Sequence, residues 1–91
     1  MRKLNMSILC KFIHAHKGRM AYVYPHKLRV FMEKDAIMAG EVSAQGLRRL
    51  MRRFGPAVVS TFFDNKRGHV YIVDILVAKE ICSKHVRAVN R

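Results

Sequence analysis

The chain has no tryptophan, and among its 91 residues there are only two prolines, two cysteines and six acidic side chains. Each scarcity excludes something. So few prolines, with five glycines, leave no Pro/Gly-rich linker or low-complexity tract, and the length supports one modest core, so residues 1–91 read as a single domain. Hydrophobic residues make up 51%, too many for a disordered tail. Cys10 and Cys82 could form one bridge, but a lone pair is no disulfide framework and has no metal-ligand spacing. The expectation is two buried or idle thiols in a reducing compartment. No apolar run reaches the length of a membrane span: Val70–Val77 is interrupted by Asp74 and ended by Lys79. Arg2 and Lys3 precede Ile8 and Leu9 as in a signal peptide, but Lys11 breaks the run and no cleavage site follows. These absences predict a soluble cytoplasmic protein without a membrane partner, nucleoid-associated if the cell is bacterial or archaeal.

The shortage of acid says most about partners. Eighteen Lys and Arg against six Asp and Glu give a net charge of +12, a self-repulsion that a polyanion relieves. No acid occurs from Met1 to Met32 or between Val42 and Phe63, whereas Glu33, Asp35 and Glu41 cluster. Nucleic acid is the first partner class implied.

Within the second acid-free stretch lies the most informative segment, Ser43 to Phe54. At about 100° per residue, Leu47, Leu50, Met51 and Phe54 form a core-facing stripe. Arg48, Arg49, Arg52 and Arg53 fall opposite, with Gln45 beside them. Ser43 stands where an N-cap belongs, and Gly55-Pro56 ends the helix. An ordinary solvated face mixes charge signs to gain i, i+4 pairs; this one has none to mix.

The rest of the chain supplies context. Leu4–His16 fits a helix, although Ile8, Cys10 and Phe12 also alternate as in a strand. Met20–Tyr24 reads as a short strand ended by Pro25. After Pro25, Leu28, Phe31, Met32, Ala36 and Met38 or Ala39 outline a second helix closed by Gly40, and Gly40-Glu41-Val42 makes a tight connection to Ser43. Ala57–Phe63 and His69–Val77 are rich in Val, Ile, Phe, Thr and Tyr around the turn-forming Asp64–Gly68, predicting a hairpin over 57–77. From Ala78, Ile81, Cys82, His85, Val86 and Val89 recur at helical spacing.

In element order and charge placement the chain resembles the winged helix-turn-helix DNA-binding domains. The resemblance implies an α+β fold of three helices, a hairpin wing and a C-terminal helix. It implies that helix 43–54 enters the major groove of double-stranded DNA, and that Asn65, Lys66, Arg67 and His69 sit on or near the wing tip. Arginine forks fit phosphates or the guanine edge, and glutamine fits adenine. Gln45, Arg48 and Arg49, near the helix start, are assigned to bases, Arg52 and Arg53 to phosphates, and Ser43 to the same interface. The expected function is operator binding by a transcriptional regulator, without catalysis, cofactor or small-molecule ligand. His14-x-His16 has no further ligands at zinc spacing, so no metal is expected.

Apolar Val58, Phe62, Val70 and Ile72 would give the hairpin two apolar faces, and burial of each is worth roughly 1.5–3 kcal/mol. A homodimer through the hairpin or the terminal helices is therefore expected. Two other functions fit the same composition. A small basic ribonuclease of toxin type would use Arg67, His69 and Tyr71, and an interaction protein would dock RNA or an acidic partner.

Overall fold

The computed structural model describes residues 2–34 and 40–89, with side chains for 4–34 and 42–85. The elements run β1 (Arg2–Lys3), α1 (Met6–Ala15), β2 (Met20–Val23), α2 (Pro25–Lys34), β3 (Gly40–Glu41) and α3 (Ala44–Arg53). After a 3₁₀ turn at Gly55–Ala57 come β4 (Val58–Asp64), β5 (Gly68–Asp74) and α4 (Ile75–Val89). This is an α+β domain with four helices among the described residues.

The first segment is helical. Asn5 Oδ1 accepts a hydrogen bond from the Ile8 N–H (2.9 Å), an N-cap that settles helix against strand. Ile8, Leu9, Phe12 and Ile13 then face inward, the 3.6-residue pattern outweighing the alternation. His16 closes the connection to the next strand, its Nε2 lying 2.8 Å from the Met20 carbonyl. The second helix begins at Pro25; Leu28 and Met32 are fully buried, while Ala36, Met38 and Ala39 lie outside the described residues.

The tight connection read at Gly40–Val42 is in part a strand. Gly40 and Glu41 pair in parallel with Arg2 and Lys3, tying the chain's start to the segment that enters α3. The hairpin is also more than a two-stranded wing. In sheet order β2-β5-β4, β5 is central, pairing antiparallel with β2 (Tyr22 opposite Ile72) and with β4 (Thr61 opposite Tyr71). A register shift between Val58 and Ser60 marks a bulge. The hairpin ends earlier than sequence alone suggests, because Asp74 caps a helix: its Oδ1 accepts from the N–H groups of Leu76 (3.0 Å) and Val77 (3.3 Å). Ile75–Val77, apolar and, with two β-branched residues, strand-like in composition, is thus the first turn of α4.

The helices pack on one face of the sheet. Ala21, Val23, Tyr71 and Val73 meet Leu9, Ile13, Leu28, Met51, Phe54 and Ile75 in a single core. Cys10 and Cys82 are not idle thiols: they form a disulfide between α1 and α4, with Cα atoms 5.6 Å apart, and both are buried. Spacing in the chain could not reveal this, since 72 residues separate them. The opposite sheet face carries a satellite cluster. Tyr22 and Phe62 meet edge to face at 6.4 Å on the side that bears Val70, which is buried without belonging to the main core. Val70 therefore finds its cover within the chain, and Val58 and Ile72 are half-buried; only Phe62 of the four remains exposed.

Candidate nucleic-acid interface

The arginine helix folds as its periodicity requires. Ser43 Oγ accepts from the Gly46 N–H at 2.9 Å, fixing the first turn. Leu47, Met51 and Phe54 are buried and Leu50 is half-buried, whereas Gln45, Arg48, Arg49, Arg52 and Arg53 are exposed. A Cβ at Gly46 would stand 3.0 Å from Ser43 Oγ, so a larger residue there would press the capping hydroxyl by a few tenths of an ångström. Ser43 thus has a structural duty beside any contact it makes.

One side of this face opens into a cleft of about 470 Å³ between α3 and the hairpin. Met51, Val58 and Tyr71 give it apolar surface, and Arg48, Arg52, Thr61 and His69 give it polar groups. The His69 and Tyr71 rings lie 5.1 Å apart, as expected of i, i+2 neighbours on one strand face. Gln45, Arg48, Arg49 and Arg52 line a shallower depression. Arg48 and Arg52 therefore belong to both hollows, joining the exposed helix face to the hairpin. A dense row of guanidinium donors beside an open cleft suits an extended anion with regularly spaced charges.

The hairpin tip is organised by Asp64, whose Oδ1 accepts from the N–H groups of Lys66 (2.8 Å) and Arg67 (3.0 Å). These bonds, Arg67's foremost, hold its carboxyl below the usual range. Gly68 adopts φ +80, a left-handed conformation that favours glycine. Asn65 and Lys66 are exposed in the turn. Arg67 is turned back toward the body, its guanidinium 5.6 Å from the Tyr24 ring. Nearby, Lys27 stands 6.0 Å from the Phe12 ring, and burial, with Arg67 as a second cause, pulls its ammonium below the ordinary lysine pKa.

The sequence-predicted residues thus form two groups. Gln45 and the arginines share one helix face, which meets His69 at the cleft through Arg48 and Arg52. Asn65, Lys66 and Arg67 occupy the tip, where the structure adds two residues that sequence reading missed, Tyr24 and Lys27. The signal for them was weak: an aromatic before Pro25 and a lysine one turn into a helix have many uses. Among the described residues no helix is long and apolar enough to cross a membrane. No protein-family model matches the chain, and neither a curated protein nor a solved structure matches it.

Proposed function

We propose that this protein binds double-stranded DNA as a winged helix-turn-helix regulator, with α3 in the major groove and the hairpin against the adjoining backbone. The observation that carries the reading is the α3 face: four arginines and Gln45 exposed on a helix anchored by Leu47, Met51 and Phe54. The order β1, α1, β2, α2, β3, α3, β4, β5, α4, with a three-stranded antiparallel sheet, is that of a small α+β domain, and the hairpin β4–β5 following α3 is what supports a winged reading. Guanidinium forks fit guanine O6 and N7 or a phosphate, and Gln45 fits adenine. The cleft supports a changed role for Arg48: with Arg52 it shares the cleft with His69, so these two arginines follow the backbone between helix and hairpin, while Gln45 and Arg49 face the bases.

Selection from a random duplex pool at near-physiological salt tests this. Enrichment of a defined site is the expected outcome. Uniform recovery of all sequences would reduce the protein to a non-specific polyanion binder, and cleavage of added RNA lost on His69→Ala would favour the ribonuclease reading instead.

A further inference from the structure

We infer that two copies of this chain associate through β4, edge to edge and antiparallel, to make one continuous sheet. Among the described residues β4 pairs with β5 on one side only, so its other edge has no strand partner there for its backbone N–H and C=O groups. Edge strands are normally blunted by lysine, proline, brevity or a bulge; of these β4 has only the bulge between Val58 and Ser60, which leaves Ser60–Asp64 regular. β4 is seven residues long, Val-Val-Ser-Thr-Phe-Phe-Asp, and has no lysine, arginine or proline. It also exposes Val59 at 60% and Phe63 at 71%.

Charge identifies the occupant as a second copy. The chain carries +12, so two copies repel wherever cations meet. None of the 18 Lys and Arg lies in β2, β4 or β5, whose only formal charges are Asp64 and Asp74. The strands themselves therefore set no cation of one copy against a cation of the other, although Arg48 and Arg52 flank Thr61 across the cleft. An antiparallel strand pair is self-complementary, so the contact closes after two copies. Overlap centred on Thr61, in the regular stretch beyond the Val58/Ser60 bulge, places Thr61 opposite its own symmetry mate and Ser60 opposite Phe62.

The two-fold axis of such a pair is perpendicular to the sheet, so both protomers' helices lie on the same side. The three-stranded sheets become one of six strands, with both α3 helices facing the same way. If the DNA-binding reading holds, one duplex meets both. The clefts bearing Arg48 and Arg52 also open beside Thr61, so added salt screens their mutual repulsion and strengthens the pair.

Sedimentation velocity on the full chain without DNA tests the association independently of any DNA-binding result. The expected mass is twice 10.6 kDa at tens of micromolar, with tighter association at 500 mM than at 50 mM salt. Thr61→Lys sets like charges opposite each other and weakens the dimer by about two- to fivefold. Mixing Thr61→Lys with Thr61→Asp restores a mixed dimer. Thr61→Cys, a conservative change at an exposed position, gives a covalent dimer on oxidation. A monomeric mass throughout overturns the proposal, as does a dimer that is indifferent to Thr61→Lys and fails to cross-link through Thr61→Cys.

Discussion

Arg67, at the far end of the β4–β5 turn, lies over the ring of Tyr24, the residue immediately before α2, with 5.6 Å from guanidinium to ring centroid. The contact ties the hairpin tip to the helix that precedes α3 and brings a second cation toward Lys27. Two cations close together in a partly buried setting raise each other's electrostatic cost. A phosphate between them would lower it.

Arg67→Ala should therefore raise the Lys27 pKa, but only part of the way, because burial is the larger cause of its depression and Arg67 the smaller. The folded-state value lies below the unfolded one, so the cost is present at lower pH and is relieved as pH rises through the folded pKa. Carbon-detected titration of the lysine side chains would read the shift. The lost cation–π contact is worth about 0.5–1 kcal/mol, partly offset by relief of repulsion, so stability should change little. If the tip touches DNA backbone, the salt slope of binding should fall by about 1.

Reducing Cys10–Cys82 should destabilise the protein by about 4 kcal/mol, the chain-entropy value for a loop spanning 72 residues. Chemical denaturation of the oxidised protein against Cys82→Ser would measure it. Because the bridge joins α1 to α4 and is buried, mild reductant should act slowly on the folded state. A loss below about 1 kcal/mol would mean that the packing of α1 on α4 suffices alone.

These two relationships mark where sequence reading runs out. α3 was legible residue by residue, since Ser43, the Leu47–Met51–Phe54 stripe and Gly55-Pro56 all act within a few positions of one another. The hairpin turn was legible for the same reason, with Asp64 and Gly68 doing local work. The Cys10–Cys82 bond, the seat of Arg67 on Tyr24 and the pairing of β2 with β5 all join distant segments, and no local pattern encodes them. Ile75–Val77 failed differently. Ile75 and Val77 favour a strand, and one carboxylate, Asp74, overrides them by capping a helix. Val70 needed no partner chain because Tyr22, far off in sequence, meets Phe62 on its sheet face.

Acid should loosen the hairpin turn only below the ordinary carboxylate range. The Asp64 pKa is held down chiefly by the Arg67 N–H and next by that of Lys66. Its folded value lies below its unfolded one, so its contribution is complete above the unfolded value and is lost as pH falls through the folded one. The amide shifts of Lys66 and Arg67 should move together in that titration. In Asp64→Asn they should lose the pH dependence while keeping the turn, since an amide oxygen still accepts both bonds.

Removing the α3 arginines singly should separate base readers from phosphate clamps. Arg49→Ala, on the side assigned to bases, should cost roughly 1–3 kcal/mol against the preferred duplex and much less against an unrelated one. Arg52→Ala, beside the cleft, should weaken both duplexes alike and reduce the salt slope by about 1 from an initial value of about −5 to −7 for six to eight phosphate contacts. Both side chains are exposed and lie opposite the buried stripe, so neither change should unfold the protein, and thermal denaturation of each variant checks that. Fluorescence anisotropy on the two duplexes at several salt concentrations reads affinity and slope together. Equal losses for both variants on both duplexes would leave α3 a uniform phosphate-binding surface and remove sequence reading from its role.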